Sequence, residues 1–203
     1  MSKRKAGDIN MKKLSLTLVL TLLFSNSVYA GFTDIPNDET KDAVNWCIEE
    51  GIISGYGDKV NAEENITRAQ FAVMMCKFAG YEYNGERADF NDVSANDWFY
   101  KYVCVMNDKN IMTGSLGNFN PHGNVTREEA VVSIVRLLNI GEEKDYTVKF
   151  SDNNEISQWA KGYIGGAVKA GILEDSNIQF KPKELIKKKE AAELIYICRD
   201  IMG

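Results

Sequence analysis

Three basic side chains stand at matching places along this chain of 203 residues. Arg68, Arg127 and Lys188 fall in Ile66-Thr67-Arg68-Ala69-Gln70, Val125-Thr126-Arg127-Glu128-Glu129 and Ile186-Lys187-Lys188-Lys189-Glu190. Each is the first residue after a helix-cap position, where backbone N–H groups and the positive end of the helix dipole together favour an anion. Three acids keep the same step: Asp34 in Phe32-Thr33-Asp34, Asp92 in Phe90-Asn91-Asp92 and Asp152 in Phe150-Ser151-Asp152. Repeated three times, this is chemistry for gripping a ligand rather than for turnover, because a catalytic site is seldom needed in triplicate. The plainer alternative is that an Arg beside Glu or Gln is a surface residue or half of an internal ion pair.

Other reactive groups do not assemble into a site. Glu49-Glu50 and Glu142-Glu143 would be imaginable as a glycosidase pair, but in so acidic a chain solvated helix faces account for them. His122 sits in a Pro-His-Gly turn with no partner for nucleophilic catalysis. Cys47, Cys76, Cys104 and Cys198 show no metal-ligand spacing, and with a single His a zinc site has little support. Cys47, Cys76 and Cys198 lie among apolar helical positions and read as core residues rather than as a short-loop disulfide framework. Asp89 to Asp97 lacks the Gly and terminal Glu of a calcium loop. The Asn65 and Asn124 sequons are the cap motifs themselves. No catalytic residue, metal or cofactor is expected.

The elements that position the repeated residues recur at roughly 60-residue intervals, and such a period governs the fold. Each unit opens on Phe-x-Asp and continues into an apolar-periodic helix. In the second unit Asp97 or Asn96 caps that helix, and Trp98, Tyr102, Val105 and Met106 form its stripe. A turn follows, Gly51-Ile52-Ile53-Ser54-Gly55-Tyr56 in the first unit and Asn110-Ile111-Met112-Thr113-Gly114 in the second, with Gly suited to a left-handed C-cap. Then Thr67 with Gln70, and Thr126 with Glu129, make capping boxes for a second helix. These second helices are apolar on most of their surface and should form the core, with the first helices outside. The spacing predicts an all-α fold of three helix–loop–helix units over residues 31–84, 85–145 and 146–203, with negligible strand.

An address precedes the units. Lys12-Lys13, an apolar run from Leu14 to Phe24 and Val28-Tyr29-Ala30 form a secretory signal over residues 1–30, with cleavage expected after Ala30. Met11 fits the start of that signal better than Met1. The run is too short for a membrane span, and no Cys follows it to carry a lipid. The full chain has a net charge of −5, and losing residues 1–30 makes it about −9. That balance argues against a nucleic-acid partner and leaves any anion to be gripped by local cations. With no second long apolar run, no membrane partner is expected after cleavage.

The Phe-x-Asp opening, the Trp-containing helix, the Gly-Ile-Ile-Ser-Gly-Tyr turn and the Ile-Thr-Arg-Ala-Gln helix start resemble the S-layer homology domain, over about residues 31–203. The resemblance implies a pseudo-threefold assembly of three modules. Grooves between them would bind, non-covalently, secondary polysaccharides attached to peptidoglycan, often through a pyruvylated amino sugar. It implies that Arg68, Arg127 and Lys188 grip the carboxylate, which suits a guanidinium fork better than an ammonium. It also implies that Asp34, Asp92 and Asp152 meet sugar hydroxyls, that Trp98 and Trp159 face a sugar ring, and that Gly55 and Gly114 let backbone approach. Thr67 and Thr126 would contact ligand only secondarily to capping. Residue-level alternatives stay open: the acids as caps, and the tryptophans as core in one stripe with Tyr102 and Tyr163. The third unit departs most, with Lys187 for the capping Thr, Lys188 for Arg and Asp175 in the place of Gly55, so the Lys188 site is expected to be weak or structural. In the first unit Glu39 takes the place of the Trp. The expected function is wall anchoring at the cell surface; the second reading is an adaptor that binds another surface protein.

Overall fold

The computed structural model describes residues 31–145 and 147–201; the export signal expected over residues 1–30 lies outside them. The fold is all-α, with two helices from each repeat. They are α1 (Lys41–Glu49), α2 (Arg68–Phe78), α3 (Tyr100–Asp108), α4 (Arg127–Leu137), α5 (Lys161–Lys169) and α6 (Lys188–Ile197). None of the described helices is long and apolar enough to cross a membrane. The first helices end in left-handed residues, Gly51 (φ 69°), Asn110 (φ 55°) and Gly171 (φ 76°). Asn serves in the second repeat because its short amide tolerates that region. Thr67 and Thr126 form the expected capping boxes with Gln70 and Glu129. In the third repeat only half of the box survives: Glu190 accepts from the Lys187 N–H at 2.7 Å, and no side chain caps the helix from Lys187.

A repeat is not a self-contained hairpin of helices. Instead α3 packs on α2 of the repeat before it, α5 packs on α4, and α1 packs on α6 of the last repeat. The first and third repeats are thereby clasped, and the three units close into a ring. At its axis the residues before the second helices exchange backbone hydrogen bonds in one direction. The Ile66 N–H donates to Ile186 at 3.0 Å, Ile186 to Val125 at 3.0 Å, and Val125 to Ile66 at 3.1 Å. All three side chains are fully buried, so these amides have no water to fall back on and the closed triangle satisfies them. This is the pseudo-threefold arrangement, with α2, α4 and α6 inside and the first helices around them.

The same interlocking consumes the first N–H groups of each inner helix. Arg68 and Ala69 donate to Gly123 and Pro121 at 2.8 and 3.0 Å, and Arg127 and Glu128 donate to Glu184 and Pro182 at 2.9 and 3.1 Å. Lys188 and Lys189 donate to Glu64 and Ala62 at 2.9 and 3.0 Å. The expectation of free helix-terminal donors for an anion is therefore corrected: those donors hold the next repeat. The four cysteines are free and buried in this interior.

A candidate ligand groove between repeats

Each inner helix projects its first basic residue into the loop of the following repeat, not its own. Arg68 donates from Nε to Phe119 at 2.8 Å and from a terminal nitrogen to Thr113 at 3.0 Å. Its guanidinium carbon lies 4.8 Å from the Phe119 ring centre. Lys188 donates to the Val60 carbonyl at 2.5 Å. Arg127 lines a pocket with Phe150, Glu174 and Phe180 of the third repeat. Lys188 therefore belongs with the Gly55 loop, Arg68 with the Gly114 loop and Arg127 with the loop that bears Asp175. The offset puts Asp175 in the repeat that faces Arg127 rather than Lys188, and there its carboxylate accepts from the Lys149 N–H at 2.8 Å and pairs with the Lys149 ammonium at 3.4 Å.

The offset also sorts the grooves by charge, through the third helical residue of each capping box. Glu129 stands 4.0 Å from Arg68, and Glu190 pairs with Arg127 at 2.6 Å, with Glu184 behind it at 3.8 Å. At Lys188 the equivalent residue is Gln70, which carries no charge. On the same inner helix as Glu190, burial pushes the Glu193 carboxyl above its ordinary value, with Glu39 and Glu190 adding to the rise and Arg127 opposing it. Burial likewise pulls Arg68 and Lys188 down, while Glu129 and Asp92 hold Arg68 up, and Glu64 and Asp34 hold Lys188 up.

The Lys188 groove, of about 360 Å³, is lined by Lys188, Lys77, Gln70, Ser54, Trp98 and Tyr102, with apolar side chains beneath and no carboxylate. Lys77 rests on the Gly51 carbonyl at 2.8 Å and the Ser54 hydroxyl at 3.3 Å. Two ammonium groups held by neutral acceptors beside an indole form a site for an anion carrying an apolar face.

The remaining expected residues divide by position. Asp34 accepts from the Val60 and Asn61 N–H groups at 2.8 and 2.7 Å. Asp92 does the same for Phe119 and Asn120 at 2.8 and 2.7 Å, and buried Asp152 for Phe180 and Lys181 at 2.8 and 2.7 Å. In each repeat this clamp holds a left-handed residue, Asn61, Asn120 or Lys181, just before the inner helix. Thr67 and Thr126 are caps. A Cβ at Gly55 would overlap the Phe32 ring and the Lys59 carbonyl, and one at Gly114 the Phe90 ring and the Asn118 carbonyl. Packing alone thus requires both glycines. Trp98 and Trp159 are not core: they are 62% and 51% exposed. Trp98 precedes its helix rather than joining the helical stripe, and Asp97 accepts from Ser94 instead of capping α3. Sequence reasoning missed Lys77, Gln70 and Ser54. Superposing the inner helices would have found Lys77 opposite Arg136, one face along from Arg68 and Arg127.

Comparison with known proteins identifies the three repeats. The S-layer homology domain profile matches residues 31–72, 89–131 and 149–192. The chain is 31% identical over 172 residues to Exoglucanase XynX of Acetivibrio thermocellus, covering 81% of this chain and 16% of that protein. It is 29% identical over 171 residues to an Amylopullulanase of Thermoanaerobacterium thermosulfurigenes, covering 81% and 9%. To the Surface-layer 125 kDa protein of Lysinibacillus sphaericus it is 29% identical over 143 residues, covering 70% and 12%. The chain thus spans less than a fifth of each of these relatives.

Proposed function

The chain belongs to the S-layer homology domain family, whose members anchor proteins to the cell wall, and from that premise we propose that this chain binds an anionic wall polysaccharide through the Lys188 groove. Residues 31–84, 85–145 and 146–203 act in this reading as three interlocked anchoring modules at the cell surface, without catalysis of their own. The observation that carries it is the pairing of Lys188 and Lys77 in a groove lined by no carboxylate, beside exposed Trp98. A pyruvyl ketal fits: its carboxylate meets the two ammonium groups while the sugar face lies on the indole. Gln70 and Ser54 supply hydrogen bonds to hydroxyl or acetamido groups. Arg68 serves a second groove in which Glu129 offsets part of its charge. The Arg127 groove, crowded by Glu190, Glu184 and Glu174, repels the same ligand and has a structural role.

The test is co-sedimentation of residues 31–203 with native sacculi and with sacculi stripped of secondary polymer. Binding to native sacculi alone, weakened in Lys188→Gln and Lys77→Gln, supports the reading. Equal binding to both preparations moves recognition to peptidoglycan itself. Retention by neither favours the adaptor reading, which has its own observation: Tyr56, Leu116 and Ile178, at the tips of the three loops, are 90%, 96% and 58% exposed.

A further inference from the structure

Trp98 borders two cavities. One is the Lys188 groove; the other is a larger cleft of about 670 Å³ between α3 and the segment that joins the first two repeats. Tyr81, Tyr83, Tyr100 and Tyr102 wall this cleft together with Trp98, and Cys76 and Val105 form part of its lining. Tyr83 and Tyr100 meet edge to face with centres 6.4 Å apart, and Lys101 lies 5.7 Å from the Tyr83 ring centre. Burial pushes the Cys76 thiol up to about 11, so the floor is neutral and apolar. Asp97, Glu82 and Lys101 provide polar groups at the same cleft.

Resting on the function proposed above, we infer that the tyrosine cleft is a second subsite, which takes the uncharged interior sugars of the same polymer as they run past Trp98. Three observations converge on this. Trp98 and Tyr102 line both cavities, so one chain of sugars can pass from one to the other without leaving the surface. Aromatic faces with polar groups alongside suit pyranose rings, which present C–H faces and hydroxyl edges. The cleft is also particular to this groove. At the corresponding place after the second repeat, Ile140, Glu142 and Lys161 replace Tyr81, Tyr83 and Tyr100, and the cavity there is lined by Glu142, Lys144 and Lys161 with no aromatic ring. The aromatic extension therefore adjoins the groove that no carboxylate lines.

The experiment is calorimetric titration of residues 31–203 with two probes. One is the methyl glycoside of a pyruvylated N-acetylhexosamine; the other is a trisaccharide ending in that sugar, released from purified wall polymer. The trisaccharide is expected to bind the wild type about five- to tenfold more tightly. Tyr83→Ala and Tyr100→Lys should erase that gain and leave the monosaccharide affinity as it was, while Tyr83→Phe keeps it. Unchanged monosaccharide binding doubles as the check that each variant is folded. Equal affinity for both probes in the wild type, or a trisaccharide gain untouched by both Tyr83→Ala and Tyr100→Lys, overturns the subsite while the Lys188 groove stands. Absence of binding by either probe, or monosaccharide affinity unaltered in Lys188→Gln, overturns the groove and the subsite together.

Discussion

Lys188 illustrates how a residue's worth depends on what it faces. By type it is the poorest of the three repeated cations, since an ammonium lacks the guanidinium fork. By surroundings it is the best placed, because Gln70 stands where Glu129 and Glu190 stand elsewhere. Lys188→Gln is expected to weaken sacculus binding at least about tenfold, the loss typical when one partner of a desolvated charge contact is removed. Arg127→Ala should change it less than about twofold; a large loss there would return the ligand to the third groove. Glu193 gives a prediction with a sign. Its folded carboxyl titrates above the ordinary 4.5, so the native state holds that proton more tightly than the unfolded chain, and the group costs stability as pH rises through this range. Glu193→Gln should raise stability at pH 7 by about 0.5–1 kcal/mol, an increase in Tm of about 2 °C. The increase should vanish below about pH 4, and thermal melts at the two pH values decide it. The cationic positions themselves were legible in sequence, because their motif repeats. Which acid each one faces was not, because that pairing crosses from one repeat to the next and no local pattern encodes it.

Among the elements, the inner helices were the most legible. Thr67 and Thr126 announced their starts, and the apolar runs Phe71 to Phe78 and Val131 to Leu138 announced their burial. The outer helices were read less well: Trp98 shares the helical spacing with Tyr102, yet α3 begins two residues beyond it. A turn of Ser94 to Asp97 precedes the helix and leaves the indole outside. Thr126→Ala should cost about 1 kcal/mol through the lost cap, whereas Lys187→Thr should recover a similar amount, because α6 has only half its box. Ile186→Ala, at the triangle of backbone bonds, should cost about 2–5 kcal/mol; chemical denaturation measures all three. The loop acids were open between capping and ligand contact. The structure gives both oxygens of each acid to the left-handed turn before the inner helix, a long-range partnership that spacing alone does not reveal.

For the whole molecule, the decisive fact is that the two helices of one repeat are not each other's closest neighbours in space. Each outer helix rests on an inner helix from the repeat before it, and α1 rests on α6. A fragment covering residues 31–145 is therefore expected to lack a cooperative melting transition in calorimetry, since α1 loses its cover; a sharp transition would show that two repeats suffice. The joints between repeats also differ in polarity. Buried Glu128 meets Lys183 at 2.5 Å across one joint, while across the joint that closes the ring Lys189 meets Glu63 at 2.5 Å and Asp38 at 2.7 Å. Opposite polarity at otherwise similar joints discourages the repeats from assembling in the wrong order. The number three was visible in the sequence and the pseudo-threefold arrangement followed from the family resemblance, but which helix covers which was not legible in either.

That ring imposes a counting rule on the lineage. Each repeat gives one axial amide and receives at one axial carbonyl, so the triangle of Ile66, Val125 and Ile186 is complete only when the copies number three. A change in copy number by one is therefore expected to strand an axial donor and acceptor unless a second chain supplies the missing repeat, and a descendant with three further copies is expected to form a second ring beside the first.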